Sequence, residues 1–414
     1  MFFRLLVLLV LVLMVDYLTH LGLKQIFRRF KGRKIYSAVL LTHWIVLFGF
    51  LIYFFGHLIY TGYPGLDYKK YRSFFWLMSI FMLFYLPKFG FSFWVIVQNI
   101  VYTGKKLFRK YKPQPIVQKH KHRNKFFLYF GLGEAVILFF LTLNGIVYQK
   151  SEFIVTKHIV EIKDLPVTFN GFKIVQFSDA HLGSFYNKEE VMKGIIAIQS
   201  QKPDLLVFTG DMVNNLYTET EPYVAWFKTT EAPFGKYSIL GNHDVGDYVQ
   251  WKETETKQDY INKLLFQISD MGFVNLLNEN RIIKKGNDSI ALIGVENWGK
   301  PPFKQYGDLG KAMKGIENVD VKILLSHDPS HWDEKVVGKT DIDLTLSGHT
   351  HGGQMGIRTD AFQWSLVQYV YKHWLGMYEE NDQKLYVNAG FGYIGFIGRI
   401  GIKPEISVFI LKRK

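Results

Sequence analysis

The chain has 414 residues, no cysteine and a formal charge of +14. The lack of cysteine excludes disulfide staples, thiolate metal sites and a cysteine nucleophile. The charge is unevenly placed: residues 1–150 carry 21 Lys+Arg against three acids (Asp16, Asp67 and Glu134), whereas residues 151–414 are net acidic. This argues against a nucleic-acid partner bound through a basic face, and it divides the chain into domains of residues 1–150 and 151–414.

The first domain contains four apolar stretches, Phe2–Leu23, Ile35–Tyr60, Phe74–Tyr102 and Phe126–Tyr148. Each is long enough to cross ~30 Å of hydrocarbon, and none has a sustained polar face, which predicts an all-α transmembrane region of four helices. The first run is long and lacks a small-x-small site, so it reads as a span rather than a cleaved leader. Pro87, Lys88 and Gly90 lie at the centre of the third stretch and predict a kink or re-entrant turn there. The loop Lys24–Lys34 holds six basic residues and Lys105–Lys125 nine, whereas Tyr63–Arg72 holds three. The positive-inside rule therefore predicts a multi-pass cell-membrane protein with both termini, and residues 151–414, outside the cytoplasm. His20, His43, His57, Asp16 and Glu134 fall in or near the spans and are read as packing or interface groups.

From Ile154 the pattern changes to short β-branched and aromatic runs separated by helix-like segments. "FKIVQF" (172–177), "DLLVFT" (204–209), "KYSIL" (236–240), "SIALIGV" (289–295), "VKILL" (321–325), "DIDLTL" (341–346), "KLYV" (384–387) and "EISVFIL" (405–411) read as buried strands. "KEEVMKGIIAIQS" and "KQDYINKLLFQISDMG" read as amphipathic helices between them. Strands outnumber helices, so the expectation is α/β, with two sheets and helices outside.

The residues just past several of these strands are chemically odd. Asp179 and His181 come after the first, Asp211 after the second, and Asn242, His243 and Asp244 after the third; His327 comes after "VKILL", and His349 and His351 after "DIDLTL". Each cluster alone reads as turn residues capping a strand. Five in register at the carboxyl ends of strands, beside Gly183, Gly210, Gly241, Gly348, Gly352 and Gly353, converge as a ligand site does in an open α/β sheet. His331 competes with His327, but His327 ends an apolar strand whereas His331 comes after Pro329. His373 has no comparable context and is read as a surface or lid residue.

The series DxH, GD, GNHD, H and GHTH resembles the calcineurin-like metallophosphoesterases, and "GHTHGGQ" with "RIGIKPEISVFIL" (399–411) is similar to a bacterial, membrane-attached or secreted branch. The resemblance covers about Ile154 to Leu411. It implies a two-sheet sandwich flanked by helices and two divalent ions (Mn, Fe, Zn or Ni). Asp179, His181, Asp211 and His351 would hold one ion, and Asp211, Asn242, His327 and His349 the other, with Asp211 bridging. A water activated by the two ions would attack phosphorus, His243 would give a proton to the leaving group, and Asp244 would orient the His243 ring. "VNAGFG" (387–392) lacks the basic residue that the resemblance leads one to expect near Ala389.

The reading is a membrane-anchored phosphoesterase acting on a phosphorylated substrate, with a lipid or cell-envelope phosphate among those considered. A cytoplasm-facing pyrophosphatase of a nucleotide-activated lipid precursor and a non-catalytic membrane receptor are the rivals. The aromatic segment "AFQWSLVQYVYKHWLGMY" (361–378) reads as a core helix or lid, or as a cover for a lipid head-group site with Trp364 and Trp374 at the interface.

Overall fold

The computed structural model describes residues 2–61, 70–110, 124–249, 251 and 256–414. The chain divides into two compact units, Met1–Asn144 and Gly145–Lys414. Most of the Tyr63–Arg72 connection and of the basic Lys105–Lys125 loop lies outside the described residues.

The first unit is helical: α1 (Phe2–Ile26), α2 (Lys34–Thr61), α3 (Tyr71–Lys110) and α4 (Phe126–Val147, which runs on past the division). All four are long and apolar enough to cross a membrane. The third stretch forms no re-entrant turn: α3 continues through Pro87 and Gly90 as one helix of 40 residues. Its length, about 60 Å at 1.5 Å per residue, is twice the hydrocarbon thickness. Proline removes one backbone hydrogen bond, but side chains pin α3 at this level. Lys88 Nζ lies 2.5 Å from Asp16 Oδ1 of α1, and the Tyr85 hydroxyl donates to Asp16 Oδ2 at 2.9 Å. The ring of His43 on α2 meets the Asp16 carbonyl at 3.1 Å, and Trp94 of α3 donates to Glu134 of α4. These ionisable groups join helices, as expected.

The second unit is an α/β sandwich. One sheet contains β1 (Ile154–Ile162), β2 (Lys173–Phe177), β3 (Leu205–Phe208), β4 (Lys236–Ser238), β5 (Val274–Asn275) and β14 (Glu405–Arg413), in the order β1-β14-β2-β3-β4-β5. The other contains β6 (Glu279–Lys285), β7 (Asp288–Gly294), β8 (Lys322–Leu325), β9 (Leu344–Ser347), β12 (Gly376–Glu380) and β13 (Gln383–Val387), in the order β12-β13-β9-β8-β7-β6. A hairpin, β10 (Gly356–Arg358) with β11 (Gln363–Ser365), stands apart from both.

Alternation along the strands builds the layers. Ile174, Leu205, Val207, Ile323, Leu325, Leu344 and Leu346 are buried in one core shared by the two sheets. The intervening Leu324 packs instead with Trp332, Val336 and Ile316 on the outer face of the second sheet. The other face of the first sheet carries Phe177, whose ring stacks 5.6 Å from that of Phe227 in α6 (Val224–Lys228). Helices α5 (Lys188–Ser200) and α7 (Lys257–Asp270) fall on the two segments read as amphipathic, and Asn187 and Thr256 cap them. A four-residue helix, α8 (Leu309–Ala312), completes the set. Strands β2, β3 and β4 run parallel in one sheet and β7, β8 and β9 in the other, so the loops at their carboxyl ends carry every expected ligand.

Candidate metal centre

The loops bring all seven expected ligands together, in two groups. In the first, His351 Nε2 lies 3.3 Å from Asp179 Oδ1 and 3.1 Å from His181 Nε2. In the second, Asn242 Oδ1 lies 2.8 Å from His349 Nδ1 and 3.2 Å from His327 Nε2. Asp211 Oδ2 stands between the groups, 3.1 Å from His327 Nε2 and 3.7 Å from His181 Nε2. One donor atom from each of Asp179, His181 and His351 falls within 4.8 Å of the others, and the same holds for Asp211, His327 and His349.

The backbone is bent to achieve this. Asp179, His181, Asp211, His349 and His351 all take positive φ, at 52°, 43°, 63°, 71° and 52°. For residues with a Cβ this region costs on the order of 1–3 kcal/mol each, and such strain clusters where geometry serves function. Close approach requires glycine at two neighbouring places. A Cβ at Gly348 would come within 1.9 Å of Ser178 Oγ, and one at Gly241 within 2.1 Å of Asp211 Oδ1. Outer contacts fix the rings: His181 Nδ1–H donates to the Val213 carbonyl at 3.2 Å and His327 Nδ1–H to the Thr209 carbonyl at 2.7 Å. Each Nε2 is thereby left as a lone pair facing its group. His349 is reversed, with Nδ1 facing inward and Nε2–H donating to the Tyr371 hydroxyl at 2.7 Å.

The family model for calcineurin-like phosphoesterases matches residues 172–353, and a model of a calcineurin-like phosphoesterase transmembrane domain matches residues 2–150. The chain is similar to the uncharacterized metallophosphoesterase YkuE of Bacillus subtilis, 34% identical over 265 residues, which are 62% of this chain and 85% of that protein. It is also similar to the transmembrane protein with metallophosphoesterase domain of Danio rerio, at 26% identity over 61% of this chain and 56% of the relative. The Bos taurus protein of the same name is 28% identical over 66% of this chain and 60% of its own length. The chain thus spans less than two thirds of either vertebrate relative. The chain belongs to the calcineurin-like metallophosphoesterases.

In this metallophosphoesterase the site is tuned by burial and by Asp211. Burial pushes the Asp179 carboxyl up to about 6 and holds His181 down to about 3 and His349 to about 4. His351 is also driven well below its ordinary value by burial. Burial acts against charge on His327 too, but the Asp211 carboxylate wins and lifts it to about 10, while Asp211 itself is held far below the usual carboxylate range. Three imidazoles are therefore neutral donors, as a divalent cation requires, and the donor set of carboxylates, imidazoles and one amide oxygen suits borderline divalent ions.

His243 lies at the edge of both groups, its ring centroid 5.0 Å from that of His181. Asp244 does not orient that ring. His243 Nδ1–H donates to the Asn214 carbonyl at 2.7 Å. Asp244 faces the other way and accepts from the backbone amides of Asp211, Met212 and Gly241 at 2.7, 2.8 and 3.0 Å. Adjacent residues in a turn project in different directions, and a buried carboxylate settles where amide donors converge.

Other expectations change as well. His331 joins neither group; its Nδ1 meets Ser326 Oγ at 2.9 Å and its ring packs 5.2 Å from Trp298. His373 is buried rather than a surface residue, with Nδ1 3.2 Å from Asp333 Oδ2 and its ring against Trp332 and Tyr378. The 361–378 segment forms β11, a 3-10 turn and the start of β12, not a helix, and Trp374 is buried with Leu375, Ala389 and Ile402. Sequence reasoning passed over Tyr371, Asn214 and Asp328, whose Oδ2 is 3.5 Å from His349 Nε2. It also passed over Arg399. No base stands near Ala389 in sequence, but the buried Arg399 guanidinium lies 3.4 Å from His351 Nδ1 and donates to the Gly390 and Gly392 carbonyls.

Proposed function

We propose that the protein is a membrane-anchored phosphohydrolase that cleaves a phosphate ester with two divalent ions, its catalytic domain outside the cytoplasm. Asp179, His181, Asp211 and His351 would hold one ion and Asp211, Asn242, His327 and His349 the other. The observation that carries this reading is Asp211 Oδ2, one atom within ligand reach of histidines from both groups. Divalent ions so held supply charge neutralisation for phosphoryl oxygens and a strong water nucleophile near neutral pH.

The chain's own residues do the rest. The carbonyls of Val213 and Thr209 keep two ligating rings in one tautomer and orientation. Asp244 ties the Asp211 loop to the Asn242 loop through their backbone amides, and so sets the spacing of the shared carboxylate. His243, held through Nδ1–H by the Asn214 carbonyl, would in its doubly protonated form give the Nε2 proton to the departing oxygen.

The test is hydrolysis. Purified protein stripped of metal and reloaded with Mn²⁺ should bind two ions per chain and hydrolyse bis-p-nitrophenyl phosphate. Failure to hydrolyse any phosphate ester when loaded overturns the activity. A reporter fused after Lys414 that works only outside the cytoplasm should be active; a working cytoplasm-only reporter overturns the orientation.

A further inference from the structure

Exposed large apolar side chains on the catalytic unit gather where the β10–β11 hairpin meets the turn after it. Ile357, Phe362, Leu366, Tyr369 and Val370 are 49, 56, 57, 75 and 78% exposed. The hairpin pairing sets Ile357 directly opposite the half-buried Trp364, which extends the apolar row across both strands. Period-two alternation explains the display: Arg358, next to Ile357, turns inward and places its guanidinium 2.7 Å from the buried carboxylate of Glu405. That buried ion pair anchors the hairpin, so the exposed row is a built surface rather than a loose loop. The residue after Val370 is Tyr371, the hydroxyl partner of His349. The apolar row therefore ends one residue from a contact to the metal centre.

A water-facing surface seldom gathers so many large apolar groups without a partner. The chain indicates which partner. Only six residues, Tyr148–Phe153, separate the end of α4 from the start of β1, a reach of at most ~20 Å at ~3.3–3.6 Å per residue. A domain on so short a tether works at the lipid–water boundary, where aliphatic and aromatic side chains partition favourably. Charge attraction is not what recruits this surface. Arg358 is held inward by Glu405, Lys372 is paired with Asp333 at 3.2 Å, and the hairpin loop carries Asp360.

Resting on the proposed phosphohydrolase function, we infer that this hairpin and turn insert into the bilayer interface and that the phosphate ester cleaved is carried by a membrane lipid. Entry of the lipid along the 357–370 surface would deliver its phosphate past Tyr371 to the ions, while its chains stay in an apolar setting.

The natural lack of cysteine allows a direct test. Val370→Cys labelled with an environment-sensitive fluorophore, in full-length protein in phosphatidylcholine nanodiscs, should be blue-shifted and quenched by spin-labelled lipid. The same label at Phe266→Cys, an equally exposed site on α7, should not. A Val370 label no more quenched than the Phe266 label overturns insertion. For activity, Leu366→Ser, Tyr369→Ser and Val370→Ser combined should lower kcat/KM at least ~10-fold on long-chain phosphatidic acid or phosphatidylglycerol in vesicles, because binding at the interface scales with the apolar area inserted. Hydrolysis of bis-p-nitrophenyl phosphate should change less than about twofold, because these side chains touch no ligand. Equal losses on both substrates overturn the inference, as does wild-type protein that cleaves the chromogenic diester but neither lipid. Wild-type protein that cleaves nothing overturns the phosphohydrolase reading instead.

Discussion

The two groups of ligands are buried to much the same degree, the His351 and His349 side chains being 7 and 9% exposed, but their neighbours differ: in the first group the Arg399 guanidinium lies 3.4 Å from His351 Nδ1. In the second, His349 is framed by aromatic residues: Tyr371 bonds its Nε2, and the ring of Phe303 meets it edge-on at 4.9 Å. The groups also differ in charge. In the metal-free protein the first group holds neutral imidazoles and a carboxyl raised to about 6, and the second holds an ion pair between Asp211 and a His327 lifted to about 10. The same residue types thus form a neutral pole and a charged one, and Asp211 stands between them.

The sharpest way to break this contrast is to remove what the groups have in common. Asp211→Ala leaves two cations without their shared counter-charge and leaves the His243 amide, now 2.8 Å from Asp211 Oδ1, without its acceptor. Both ions should be lost together, and turnover should fall beyond the ~10⁴-fold upper end expected for a lost general acid. Metal analysis beside kinetics decides this. Retention of a full complement at either group would show that Asp211 does not bridge.

Why the ligands could be read from the chain, and their neighbours could not, has a physical answer. Each ligand stands just past an apolar strand, and the rule that parallel strands deliver their loops to one edge brings them together. His327 could be preferred to His331 on that ground alone. Tyr371 and Arg399 reach the site only through folding of distant segments, and no local pattern marks a residue that arrives that way. β1 is similar: it pairs only with β14, Ile154 opposite Glu405, across most of the domain. The positive φ at five ligand residues is equally invisible, because these positions carry side chains where glycine would signal the turn. Asp244 misled through adjacency to His243, and Pro87 does not end α3, where contacts between helices outweigh a local helix breaker.

His243 belongs to neither pole, so its removal should separate chemistry from metal binding. His243→Ala should keep both ions and the fold and lose ~10²–10⁴-fold in turnover, less for substrates with good leaving groups. A leaving-group series with metal analysis checks this. If an ion is lost, or every leaving group slows equally, His243 acts as a ligand or a transition-state clamp.

A milder change should affect only the second group. Tyr371→Phe removes the hydroxyl at His349 Nε2 and leaves the ring to fill its space. Loss of such an outer partner typically costs ~10–100-fold in metal affinity. The second group should weaken by that much, and the first, which makes no contact with Tyr371, should not change. Competition with a chelator would resolve two sites in the wild type; equal weakening of both would erase the distinction between the poles.

The smallest expected effect is on pH dependence, and the two groups should differ in its range. A ligand must be deprotonated to bind a cation. Near pH 7 the first group is ready, because its imidazoles are held neutral by burial and Asp179 ionises near 6, so its affinity should fall only below about pH 6. The second must first take a proton from His327, which Asp211 holds up to about 10 against burial. Its affinity should rise by up to ~10-fold per pH unit above neutrality and level off near 10. The same shift stabilises the metal-free fold below the unfolded value of 6.5 and is lost as pH rises through about 10. The raised Asp179 works in the same direction between its unfolded value of 3.8 and about 6, whereas Lys236, held down to about 8 by burial, works the other way above that pH. Calorimetric titration with Mn²⁺ at pH 7.5, in two buffers of different ionisation enthalpy, should show close to one proton released by one of the two binding events and almost none by the other. Equal proton release at both would mean that Asp211 does not favour His327 over the ligands of the neutral pole.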